Sequence, residues 1–167
     1  LHTYLVGFLV LLASFVLQTT IVPHLRVFGV QPDLILIVVV AFAFSEGAVA
    51  GSAAGFAGGL LEDLVLIRGV GLNVLCKTIT GYVAGLVERA LFAENLVLLM
   101  IAIIIATVLN QTVYAGLNFL LGEKVLFWST FRSLILPSAL YNSLLAPLVY
   151  YLLMRIMVFE KKAPVFK

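Results

Sequence analysis

The chain has 167 residues, 63% of them apolar and only 11% charged, with a formal net charge of +2 and a mean hydropathy of +1.21. Soluble domains carry about 25% charged residues, so this composition excludes most soluble-enzyme readings, and so small a net charge gives no reason to expect a nucleic-acid partner. The charges fall at intervals between apolar runs, the pattern of a polytopic α-helical membrane protein; at about 20 residues per crossing there is room for about six crossings in a single integral membrane domain over 1–167, and no separate soluble domain.

The first predicted helix covers 3–22 and is closed by Pro23, His24 and Arg26. No basic stretch precedes it and no A-x-A site follows it, so it is expected to be a retained helix rather than a cleaved leader. Pro32 suits a first helical turn and Asp33 favours the positive end of the dipole; together they open a second helix, 33–45, that is short for a span. It is either a half-span or fused with the third, 48–67, into one bent, tilted helix. The fourth covers 73–87, with Glu88 and Arg89 at its end, and the fifth covers 95–121. Phe127, Trp128 and Phe131 beside Lys124 and Arg132 suit a membrane interface. The sixth covers 134–158, and a polar, basic tail follows. Six crossings put both termini on one side, and the clustered Lys161, Lys162 and Lys167 favour the cytoplasm for that side.

Four glycines, Gly47, Gly51, Gly55 and Gly59, recur every four residues and so share one helix face. In lipid such a groove lets another helix approach closely, from this chain or from a partner; Gly81 and Gly85 form a shorter version. Glu62 and Asp63 sit between leucines. Carboxylates at membrane depth are costly and therefore functional candidates, with Arg68, Lys77 and Arg132 as available cations; alternatively the third helix ends at Leu61 and the pair lies among headgroups. The two are adjacent, so on a helix they point about 100° apart and are not expected to share one task. Lys77 either snorkels outward or forms a structural ion pair. The fifth helix carries Asn110, Tyr114 and Asn118 at four-residue spacing, with Thr107 and Gln111 beside them; such a stripe should face protein or water, as inter-helix hydrogen bonds or as a cavity wall. The sixth holds Pro137 and Pro147, which remove backbone donors, around Ser138, Tyr141, Asn142 and Ser143.

Catalytic chemistry is hard to find. Histidine occurs only at positions 2 and 24, no helix carries a metal-spaced ligand set, no phosphate loop is present, and Ser52 has no histidine in another helix to activate it. Cys76 is the only cysteine and reads as a small packing residue. No enzyme activity, cofactor or metal is expected.

Several stretches, taken in order, resemble the bacterial rod shape-determining MreD family: Gln31-Pro32-Asp33-Leu34; Gly55-Phe56-Ala57-Gly58-Gly59-Leu60-Leu61-Glu62-Asp63-Leu64; Gly71-Leu72-Asn73 followed by Thr80-Gly81-Tyr82-Val83-Ala84-Gly85-Leu86; and Arg132 with Pro137-Ser138-Ala139-Leu140-Tyr141-Asn142 and Ala146-Pro147. The resemblance implies an all-α membrane protein, a compact bundle of about six transmembrane helices similar to the substrate-binding components of energy-coupling-factor vitamin transporters. It implies a non-enzymatic inner-membrane scaffold of the cell-elongation complex, associated with MreC and, directly or through it, with the synthase RodA, its partner transpeptidase and MreB. On this reading the Gly47–Gly59 face or the kinked sixth helix (Pro137, Asn142, Pro147) offers a docking surface, while Asp63, Arg132 and Asn142 hold the bundle together. The alternative is a transporter subunit that binds a small molecule or lipid, with the Asn110/Tyr114/Asn118 stripe and the sixth helix as a pocket wall. Against it, the first two helices supply almost no polar groups away from their ends.

Overall fold

The computed structural model describes residues 2–27, 29–65, 71–86 and 96–162, and among them there are helices and turns but no strand beyond an isolated Val27–Val30 bridge. We label the main helices α1 (His2–Thr20), α2 (Leu34–Glu46), α3 (Ala48–Val65), α4 (Leu72–Gly85) and α5 (Leu96–Leu120). The last, α6, starts as Phe127–Thr130, passes through a π-helical turn at Phe131–Ile135 and continues as Leu136–Lys162. The sequence-based positions of Arg68, Glu88, Arg89 and Lys167 lie outside the described residues.

The centre of the bundle is α2. Its segment from Ile35 to Phe44 is apolar on every side, and every residue of it is buried. A helix that is hydrophobic all round belongs in a core, and here α1, α3, α4 and α6 wall it in. At 13 residues it is about 20 Å long, short of the roughly 30 Å hydrocarbon layer. It does not fuse with α3. Gly47, at φ 90°, is the single residue between them; this left-handed backbone suits glycine and folds α3 back against α2, with Gly58 over Ile35 and Gly51 over Ala43.

The glycine face of α3 packs against α4, antiparallel and backbone to backbone. A Cβ at Gly55 would overlap the Lys77 carbonyl, one at Gly59 the Asn73 carbonyl, and one at Gly51 the Gly81 carbonyl; from the other side, one at Gly85 would meet the backbone of Ala48. This corrects one expectation: the face is filled from within this chain, so it offers no docking surface, and the backbone of Gly47 also lies against the Gly85 Cβ position, although its own Cβ position is open.

Helices α1 to α4 run alternately in opposite directions, as the paired contacts Gly7–Phe42 and Gln18–Ile35, Gly51–Ala43 and Gly58–Ile35, and Gly55–Lys77 and Gly59–Asn73 require, and α6 runs parallel to α2, with Asn142 at Asp33 and Met154 at Ser45. The start of α1 and the end of α6 therefore share one end of the bundle. Among the described residues three helices, Ala48–Val65, Leu96–Leu120 and Phe127–Ile156, are long and apolar enough to cross a membrane, and Tyr4–Thr20 and Leu34–Glu46 are shorter apolar helices. The chain is an all-α bundle of membrane-protein type.

Candidate functional site: a polar cavity over a buried ionic cluster

Because α2 is short, the bundle is not filled at the end opposite the termini. The segment joining α1 to α2 closes over that end, with Val22 and Val30 tucked in and the Tyr141 hydroxyl donating to the Leu25 carbonyl at 2.9 Å. Beneath this cover lies an open cavity of about 550 Å³.

An ionic cluster contributes to its lining. Lys77, 1% exposed, is held between Asp33 Oδ2 at 2.6 Å and Glu62 Oε2 at 2.8 Å. The other oxygens are also engaged. Asp33 Oδ1 accepts from Leu36 N at 2.8 Å, capping α2, and Glu62 Oε1 accepts from the Gln18 amide at 2.7 Å. Gln18 in turn accepts from Ile35 N at 3.1 Å. Four helices are thereby pinned at one level: α1 by Gln18, α2 by its cap, α3 by Glu62 and α4 by Lys77. Asn142 extends the links, accepting from Asp33 N at 2.8 Å and donating to Thr107 Oγ1 at 3.2 Å, which joins α6 and α5 to the start of α2. A charge buried this deeply is tolerated only when paired and hydrogen-bonded, and the described residues contain no buried side-chain nitrogen or oxygen without a partner.

Asp63 has a different task. It accepts from Gly71 N at 3.0 Å, Val74 N at 3.1 Å, Asn73 N at 3.3 Å and the Asn73 amide at 2.8 Å. The first turn of a helix leaves donors without intrahelical partners, and the residue before α4 is Gly71, which has no side chain to cap with. Asp63 supplies the cap from α3. Asp63→Ala is expected to destabilise the fold by about 2 kcal/mol. Arg132→Ala should cost about 0.5–1 kcal/mol, because Arg132 is exposed and lies over the Trp128 ring at 4.6 Å instead of reaching the acids. Thermal unfolding in detergent would compare them, and equal losses would refute the assignment.

Of the other residues singled out by sequence, Asn110 and Tyr114 line the cavity, and Asn110 Oδ1 faces the Thr80 hydroxyl at 3.5 Å. Asn118 turns back to its own helix, donating to the Tyr114 carbonyl at 2.9 Å. Asn142 is fully buried and is therefore part of the interior rather than a docking surface; Pro137 and Pro147 are half-buried. Asp33 and Gln18 are the residues sequence reasoning missed. The first two helices supply these groups from their ends, Gln18 from the last turn of α1 and Asp33 from the cap of α2. Lys77 itself was the available signal, because a cation in an apolar helix requires partners, and Asp33 heads the most apolar stretch of the chain.

A family model described as rod shape-determining protein MreD matches residues 1–157. The chain belongs to the MreD family. No curated protein and no solved structure matches it. Membership makes this a membrane protein of rod-shape determination, in a family of structural shape-determining proteins not known as enzymes. In this MreD chain the described residues hold no group of three or more metal-ligating side chains, and Cys76 is buried as a free thiol.

Proposed function

We propose that this MreD-family protein is a non-enzymatic scaffold of the bacterial inner membrane, with cytoplasmic termini, that binds MreC and supports the cell-elongation synthases RodA and its transpeptidase, reaching MreB directly or through MreC. Family membership supports the cellular role. The distribution of groups within the fold supports a scaffold: the charged residues of the cavity cluster and the glycine stripe are engaged in holding helices together. What α6 turns outward is a ridge of leucines four residues apart, Leu140, Leu144, Leu148 and Leu152, exposed by 56%, 70%, 58% and 49%. Residues at that spacing form one helix face, and Pro147, within the same helix, removes a backbone donor there.

The test is co-purification of the tagged chain in mild detergent from cells expressing MreC and the synthases. MreC should be recovered with the parent chain. Leu140→Trp with Leu144→Trp should reduce recovery about tenfold, as loss of about 1.4 kcal/mol of packing would, while the unfolding temperature stays unchanged. Undiminished recovery would move the interface elsewhere, and no recovery of MreC or synthases with the parent would remove the scaffold role.

A further inference from the structure

The cavity has features that holding the bundle together does not require. Its volume of about 550 Å³ falls within the range of sites that enclose small ligands, about 300–1,000 Å³. Gln111 and Tyr114 line it from α5, one helical turn beyond Thr107 and Asn110, yet neither the Gln111 amide nor the Tyr114 hydroxyl bonds to another described residue. The structural work is complete without them.

The charges lining the cavity restrict what could bind. Asp33 and Glu62 contribute two negative charges, and Lys77 and Arg26 two positive ones, so the lining is formally neutral. An anion would have to approach two carboxylates, and a cation would meet Arg26 and a lysine already saturated by its partners. The remaining polar groups are amides and hydroxyls, which donate and accept at once. Groups of this kind match adjacent hydroxyls, each of which also donates and accepts. The apolar part of the lining includes the rings of Phe15 and Tyr114, surfaces suited to the C–H faces of a saturated ring.

We infer that this cavity is a binding site for a neutral, polyhydroxylated ligand of the carbohydrate class, of mono- or disaccharide size. The inference is independent of the scaffold role, since it rests on the cavity and not on the outer surface. The amide of Gln111 and the hydroxyl of Tyr114 bind the sugar, and the ionic cluster fixes the floor against which it sits.

The experiment is calorimetric titration of the full chain in phosphatidylcholine nanodiscs, free of sugar detergents, with maltose, N,N′-diacetylchitobiose, inorganic phosphate and ethanolamine. Saturable binding of at least one disaccharide, in preference to either charged probe, is expected. Gln111→Leu and Tyr114→Phe should each weaken it about tenfold, the effect of one lost hydrogen bond. Asn118→Leu, on the same helix but outside the lining, should leave it unchanged. An alkyl maltoside that binds more tightly than maltose would identify a membrane-anchored headgroup as the source, and equal affinity a free sugar. No saturable binding of either disaccharide to the folded chain, unchanged affinity in Gln111→Leu, or tighter binding of phosphate or ethanolamine would each overturn the inference.

Discussion

Lys77→Met should be among the most damaging single substitutions in this chain. It leaves the carboxylates of Asp33 and Glu62 buried together without the cation that both contact. Breaking a buried ion pair by removing one partner costs about 3–5 kcal/mol, a large share of the 5–15 kcal/mol that usually separates folded from unfolded states. The expected result is a strongly lowered unfolding temperature in detergent and poor recovery of folded protein. Adding Glu62→Gln should restore at least half of the loss, because the second change removes one unmatched charge and keeps an oxygen to accept from Gln18. Asp33 would then remain as the cap of α2, where a negative charge is favoured. A Lys77→Met midpoint within about 2 °C of the parent, equivalent to under about 1 kcal/mol in a chain of this size, would show that the cluster is not what joins these helices.

Gly55→Ala should come close to it through a different cause. The added methyl would overlap the carbonyl carbon and oxygen of Lys77 and crowd Thr78 N, all backbone atoms. A flexible side chain can move aside, but a helix backbone moves only as a unit, so α3 and α4 must separate. Overpacking ordinarily costs about 1–3 kcal/mol, and here the same separation also pulls Lys77 away from its acids; a loss of at least about 3 kcal/mol is expected. Two controls define the effect. Gly58→Ala meets the Cγ2 methyl of Ile35 first, a side-chain rather than a backbone atom, and should be milder. Gly116→Ala, in the interior of α5 with nothing near its Cβ position, should be neutral or stabilising by up to about 1 kcal/mol. If Gly55→Ala and Gly116→Ala unfold at the same temperature, the close approach of α3 to α4 is not essential.

The helical membrane architecture is legible in the sequence because it depends on composition and on the spacing of charges, both one-dimensional properties. The glycine stripe is legible as a site of close approach, but its neighbour is not. That the neighbour is α4 depends on Gly81 and Gly85 presenting a matching bare strip to Gly51, Ala48 and the backbone of Gly47, and on the reversal that Gly47 makes before α3. The brevity of α2 is equally visible; that it is central, with other helices on all sides, follows only from how they pack. Asp33 is legible in the sequence only as the start of α2, where its charge suits the helix dipole. A carboxylate has two oxygens, and one caps while the other holds Lys77. Arg132 showed the reverse difficulty. Its charge made it a natural counterpart for the acids, but the π-helical turn in which it lies directs it onto Trp128.

The ionic cluster also has a consequence for synthesis, because its members are not made together. Gln18, Asp33 and Glu62 all leave the ribosome before Lys77, and Asp63 precedes the backbone donors at residues 71–74 that it caps. Between those moments the nascent chain carries three carboxylates bound for apolar surroundings and no lysine to meet them. A chain halted just before α4 would lack both the cation and the capped turn, so the first three helices do not make a self-sufficient intermediate. The arrival of α4 gives both acidic positions of α3 their partners and fills its bare glycine face in the same step.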